Sequence, residues 1–518
     1  MISRRDVLRI LLLGSGALYT APLLGSCQQD RTPRRVSNEH SAKNTYPHVA
    51  HQYYDAPHQY IREHRHNTLS WQSAHHHTTD VAIIGAGPAG LAAAVALLGT
   101  NYDFVLLDNE SVGGGAARCG RYDSVEYPLA AVYFVERTAP IEELCRFAGV
   151  QPIEAPGDTL ILDRNPYQRL WQDETIATLP ICATEKSELR RFRDDLLDRI
   201  AQGEIPSYPL PETLPPHLQT LDSTSAASFV AQYRSPLLHT ILELYTRSSM
   251  GGSLESVNAY ALLNFYASEI ATPRYTFPGG LAGVTVPVVK KLGDRVQTGM
   301  TCLRIENPAN PLVWALDREG RLHRIQSRVA IVTVQKFMIP WVIPDLPAAQ
   351  QAAMHSLQYA PFLTVHLCAH TPLLPSGFDI WIPEGSQLFT DIINANAMMK
   401  STVTSAAVAS IYAPRTVAER AIMQSDDILA AYAQRIAERA VQSVPTIPPE
   451  AIEEVHVFGW GHAVVMPVPG SHSVVAQQAR QRYENILFAN TDNDSAPAFE
   501  NAVAHGYRAA EDAIELLS

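Results

Sequence analysis

Positive charge is in short supply in this 518-residue chain. Its 40 Lys and Arg stand against 52 Asp and Glu, a formal net charge of −12. Such a balance leaves nothing to neutralise a phosphate backbone, which excludes nucleic acid as a partner. Cysteine is sparse as well. The six copies, Cys27, Cys119, Cys145, Cys182, Cys302 and Cys368, contain no CxxC pair. A disulfide framework is thereby excluded, and most of those beyond Cys27 read as buried apolar thiols. No cysteine or acid stands at a spacing that completes a metal site among the histidines, so no metal is assigned. After the first 30 residues no apolar run reaches the roughly 20 residues that a membrane-spanning helix requires. What is present is a 46% hydrophobic chain, long enough to bury a large core in two or more domains.

The first 27 residues read as an address. Ser3-Arg4-Arg5-Asp6-Val7-Leu8-Arg9 fits a twin-arginine export signal, followed by an apolar run from Ile10 to Leu24 that Gly14, Gly16 and Pro22 interrupt. The expected destination is the periplasm or cell envelope, reached through the twin-arginine machinery. Leu24-Gly25-Ser26-Cys27 is similar to a lipobox. Two readings stand there: lipidation of Cys27, which tethers the protein to a membrane surface, or ordinary cleavage near the same point. Residues 28–78 read as a polar linker rich in histidine, holding nine of the 19 histidines between His40 and His77. They could scavenge a transition metal, but the favoured reading is a solvated tether.

Thr79 to Arg118 carries the most information. Val81 to Ile84 predicts a strand that runs into Gly85-Ala86-Gly87-Pro88-Ala89-Gly90, and Leu91 to Leu98 predicts a helix. Gly85 permits a tight turn, Gly87 lets backbone approach a pyrophosphate, and Gly90 allows the helix to pack on the strand. The helix start, including Ala89, offers free amides to phosphate. A second strand, Phe104 to Leu107, ends in Asp108, whose carboxylate can accept from ribose hydroxyls. The pattern predicts a dinucleotide site.

Gly113-Gly114-Gly115 and Arg118 follow soon after. Their arrangement resembles the second glycine motif of the flavin-containing amine oxidase superfamily, which also holds phytoene desaturases and protoporphyrinogen oxidases. Ser111 stands near the place of that motif's first Arg, and Gly115 and two alanines precede Arg118. Two further stretches are similar to the family. Gly279-Gly280-Leu281 leads into a helix, a strand, a hairpin turning at Glu319-Gly320, and the strand Arg328 to Val334. Near the end, Asn485 to Asn490 predicts a strand and Phe499 opens the last helix.

The resemblance implies an α/β fold: a Rossmann-like FAD-binding domain with a parallel sheet, discontinuous in sequence, and an inserted α+β substrate domain. The FAD-binding pieces are expected at 79–150, 271–338 and 470–518, the substrate pieces at 151–270 and 339–469. Helices are expected at Ser187 to Ala201, Ser225 to Thr246, Asn258 to Glu269 and Asp426 to Ser443. It further implies FAD contacts at Gly113, Gly114, Arg118, the backbone of Cys302, Asp492, and the amides around Ala502 and Val503. Trp460 and His462 would lie beside the ring, His462 as a proton donor or acceptor. No cysteine occurs near Trp460, so the flavin is expected to be non-covalent.

Two departures are visible. Pro340 occupies the place of the family lysine, with Lys336 four residues early, and Ala498 that of a cage tyrosine. The implied activity is FAD-dependent oxidation of a C–N bond in a small molecule, with oxygen or a quinone-type compound as electron acceptor. C–C desaturation of an apolar substrate and a non-catalytic flavin-binding envelope role are the alternatives.

Overall fold

A computed structural model describes residues 46–211, 213–383, 388–399 and 405–518, all within one compact unit, Lys43–Ser518. The export signal and Cys27 lie outside the described residues. No helix among those described is long and apolar enough to cross a membrane.

The strands Val81–Ile84 and Val329–Val332 are buried at every position, the pattern of strands covered on both faces. They form the centre of a five-stranded parallel sheet ordered Val296–Thr298, Phe104–Asp108, Val81–Ile84, Val329–Val332 and Ile486–Phe488. Three stretches far apart in sequence thus share one sheet. The helices Pro88–Leu97 and Phe499–Leu517 cover one face. They cross closely at Gly506, where an added Cβ would lie 2.2 Å from the Ala89 carbonyl oxygen. The other face packs on the hairpin strands Thr301–Glu306, Leu312–Leu316 and Leu322–Gln326.

A second sheet has eight strands. Its long members are Gln358–Ala369, Ala407–Pro414 and Ile452–Met466, the first lying between the other two and antiparallel to both. One face packs on the helix Asp426–Ser443. The opposite face is covered by the hairpin Cys119–Tyr122 and Val125–Pro128. Next to this sheet stands a cluster of helices, among them Ala183–Ala201, Pro236–Met250 and Ala259–Ala271.

Two expectations are corrected. The single helix expected from Ser225 to Thr246 is two, Ala226–Val230 and Pro236–Met250. Pro236 lacks an N–H and fits only a helix start, where the Ser235 hydroxyl caps Leu238 N–H at 3.2 Å. Within the stretch expected as a tether, residues 46–78 are built into the fold. His48–His51 pairs in parallel with Ile452–Met466, and His75–Thr78 with the strand Leu322–Gln326. Unpaired edges of both sheets supply backbone partners, which a composition-based reading does not register.

Candidate active site

A cavity of about 650 Å³ runs from the Gly85 turn to the face of the second sheet. At its first end Gly85 has φ +109°, which a side chain rarely adopts, and a Cβ there would meet Thr333 Oγ1 at 2.5 Å. Gly87 differs. It lines the cavity, and its added Cβ would have no neighbour nearer than Gly115 Cα at 3.8 Å. The missing side chain therefore leaves open space at the N-terminus of the helix Pro88–Leu97, where unpaired amides favour phosphate. Ala89 lines this cradle, while Gly90 lies behind it. Gly113 and Gly114 also lie behind it, Gly114 N–H donating to the Ala86 carbonyl at 2.7 Å.

Asp108 is buried in the cavity wall, accepting from Ala86 N–H at 2.6 Å and Glu110 N–H at 2.8 Å. Burial raises its pKa to about 6 despite these bonds. A ribose hydroxyl would find a fixed acceptor there. Arg118 is directed elsewhere. Its guanidinium pairs with Glu110 Oε2 at 3.1 Å and lies 4.9 Å over the Trp460 ring, so its charge is met by protein. Cys302 lines the cavity in the hairpin sheet, its thiol pushed up to about 12 by burial.

Sequence reasoning missed one wall altogether. Tyr53, Tyr54, Pro57, His58 and Ile61, from the expected tether, line the cavity beside Asp108 and Asn109. Tyr53 N–H donates to Glu110 Oε1 at 2.9 Å, Asn109 Nδ2 donates to the Tyr53 carbonyl at 3.1 Å, and Arg318 stacks on the Tyr53 ring at 3.2 Å. The contacts reach across 56 residues or more, so no local pattern announces them.

The C-terminal stretch closes the middle of the cavity. Asp492 lines it, yet its carboxylate accepts from Lys336 N–H at 2.9 Å and the Tyr359 hydroxyl at 2.6 Å. Ala502 lines the cavity, but its N–H already donates to the Ala498 carbonyl at 3.1 Å. Val503, one position further, bonds within the helix in the same way. The amides left unpaired by helix geometry are those of Phe499, Glu500 and Asn501. Lys336 is fully buried outside the lining, its ammonium held by Asn490 Oδ1 at 2.9 Å and by Asn493 Oδ1. Burial lowers its pKa to about 8. Pro340 is buried in the short helix Ile339–Val342, and Ala498 lines the cavity.

Trp460 and His462 project into the cavity from the strand Ile452–Met466. Trp460 Nε1–H donates to the Leu129 carbonyl at 3.0 Å. His462 stacks on Phe337 at 4.2 Å, and burial, with Arg420 nearby, lowers its pKa to about 3. Its imidazole is neutral at physiological pH.

The far end is acidic. Asp379 and Asp391, from adjacent antiparallel strands, line the cavity at 3% and 2% exposure, and the Oδ1 of each has no hydrogen-bond partner among the described residues. Asp158, Glu269, Asp379 and Asp391 share this region with Arg274, which pairs with Asp158 and lies 3.2 Å from Glu269. Burial first, then mutual repulsion with Asp158, holds the pKa of Asp391 up at about 6. Burial first, then the charges of Asp391 and Asp158, raises Asp379 well above the ordinary carboxylate range.

A sequence profile for flavin-containing amine oxidoreductases matches residues 88–514. The chain belongs to this family. It is an FAD-dependent oxidoreductase of α/β fold, and the Gly87 cradle and the Asp108 acceptor fit that cofactor. The oxidoreductase PigB of a Serratia species is 23% identical over 504 residues, covering 83% of this chain and 74% of that protein. Putrescine oxidase solved with putrescine shares the fold at a TM-score of 0.67 and 18% identity, over 85% of this chain and 100% of that one. Cyclohexylamine oxidase from Brevibacterium oxydans does so at 0.66 and 18%, over 85% and 99%.

Proposed function

We propose that this oxidoreductase oxidises a C–N bond of a small, positively charged amine. One observation carries the reading: two carboxylates, Asp379 and Asp391, buried on adjacent strands, both line the cavity, and Arg274 is the cation whose charge bears on Asp379. Buried charge is costly unless paired, and an ammonium group is the ligand that pairs it. An apolar polyene would offer neither acid a hydrogen-bond donor, so C–C desaturation is set aside.

When bound, FAD supplies the acceptor for the hydride leaving the carbon next to nitrogen. The reacting nitrogen first gives its ammonium proton to water, its lone pair then completes a C=N bond as the hydride leaves, and water hydrolyses the product to a carbonyl compound and an amine or ammonia. The chain's own residues position and shield. Gly87 and the helix amides hold phosphate, and Asp108 takes a ribose hydroxyl. Trp460, fixed by the Leu129 carbonyl, and Phe362 exclude water from the cavity. His462 is neutral and can accept a hydrogen bond without placing a competing cation beside the substrate. Neither Lys336 nor Pro340 offers a lysine to the cavity, so a water held by lysine has no part in this reading.

The export reading remains a proposal resting on Ser3 to Arg9. Lipidation of Cys27 is a further proposal, tested by labelling with a radioactive fatty acid. The enzymatic reading is tested by mixing the purified flavoprotein anaerobically with monoamines, diamines, amino acids and polyprenes. Bleaching of the flavin by a cationic amine, and not by a polyprene, is expected. Bleaching by a polyprene alone would overturn the reading.

A further inference from the structure

The histidine-bearing N-terminal stretch has a second consequence. The parallel register of His48–His51 on Ile452–Met466 sets His48 opposite His456. Glu454, two residues earlier on the same strand, projects on the same side. His456 Nε2 lies 2.7 Å from Glu454 Oε2, His48 Nε2 lies 3.9 Å from the same oxygen, and the three candidate ligand atoms all fall within 4.8 Å of one another.

We propose that His48, Glu454 and His456 form a binding site for a divalent first-row transition metal, with Zn²⁺ the best match. Two imidazoles and a carboxylate are a borderline-hard donor set that suits zinc, with a fourth position for water. Bonds of about 2.0–2.1 Å at tetrahedral angles set ligand atoms roughly 3.4 Å apart. The observed separations bracket that value. His48 and Glu454 side chains are 66% and 42% exposed, so both are free to make the adjustment. His456 is more confined, at 18%, and its rear nitrogen is already oriented. The Tyr127 hydroxyl lies 2.6 Å from His456 Nδ1, the outer contact that directs the other ring nitrogen to a metal.

The site would join the N-terminal strand to the central sheet a few residues before Gln52 and Tyr53 enter the cavity wall. Metal binding should therefore also slow loss of the flavin, a property measured without turnover.

The test uses the full-length holoprotein after chelator dialysis, titrated with Zn²⁺ in a calorimeter. One equivalent should bind. It should be lost in His48→Ala and in Glu454→Gln, kept in a His75→Ala/His76→Ala/His77→Ala control, and weakened roughly tenfold in Tyr127→Phe. Metal-free melting curves identify any variant that has simply misfolded, and the exposed His48 makes His48→Ala the safest of them. Co²⁺ should give the visible absorption of a four-coordinate N/O site in the parent and not in His48→Ala. Zinc binding that survives both ligand variants, or disappears in the control, would overturn the assignment. So would the absence of stoichiometric binding to the parent.

Discussion

Asp379 and Asp391 decide the chemistry at the scale of single residues. Their pKa values lie above the ordinary carboxylate range, Asp391 at about 6. An acid of raised pKa is neutral below that value and charged above it, so the anchor for an ammonium group is lost as pH falls. KM for a cationic substrate should rise as pH drops through about 6, while a neutral isostere used as inhibitor keeps its affinity. Asp391→Asn should remove that pH dependence. It should also cost about 2 kcal/mol of binding, roughly 30-fold in kcat/KM, the scale of a hydrogen bond to a charged group. A KM indifferent to both pH and substitution would refute the anchor. His462 gives the opposite expectation. With a pKa near 3 it does not titrate in the working range, so His462→Gln should leave the shape of the kcat–pH profile between pH 5 and 9 unchanged. Disappearance of an ionisation in that variant would restore an acid–base role to His462. The places of Gly85, Gly87 and Asp108 in the cavity wall were legible because one strand–turn–helix and the strand that follows it fix their spacing. Asp379 and Asp391 were not, because two acids twelve residues apart gain meaning only when antiparallel strands set them side by side in the cavity wall.

At the scale of elements, the N-terminal stretch is the largest departure from what composition suggests. Histidine and proline between His48 and Ile61 read as solvated chain, yet an open strand edge and the Asn109–Glu110 turn capture it. The elements with strong periodicity were legible: Asp426–Ser443 lies where its pattern predicts, since an amphipathic helix declares its buried face locally. The stretch Ser225 to Thr246 misled because the pattern continues across Pro236 while the backbone cannot. The role of the N-terminal stretch in the cavity can be measured directly. Tyr53→Ala removes the ring under Arg318 and opens the wall beside Asp108, without touching the Gly85 turn. Loss of about 1 kcal/mol of cation–π contact predicts FAD release roughly fivefold faster, followed by flavin fluorescence after dilution into apoprotein trap. An unchanged release rate would show that the stretch covers the cavity without holding what lies in it.

Across the whole molecule, the cavity is where distant parts of the chain meet. Gly87, Cys302, Thr333 and Ala502 come from three widely separated stretches and line one space, so a ligand filling it ties all three together. Binding to the native state alone stabilises by RT ln(1 + [L]/Kd), about 2.7 kcal/mol at a hundredfold excess over Kd. Gly87 offers a way to separate that contribution from folding itself. Its added Cβ points into open space, with no protein atom nearer than 3.8 Å. Gly87→Val should therefore fold like the parent while filling the phosphate cradle. The expected result is an apoprotein that melts with the ligand-free parent, within about 1 °C, but shows none of the upward shift of a few degrees that added FAD gives the parent. Gly90→Val is the contrasting case, because its Cβ would fall 1.9 Å from the Gly85 carbonyl oxygen and the fold itself must yield. Scanning calorimetry of the two variants with and without FAD distinguishes the outcomes. If Gly87→Val still gains stability from FAD, the open space above Gly87 is not where the pyrophosphate sits, and the cradle must be sought elsewhere along the cavity.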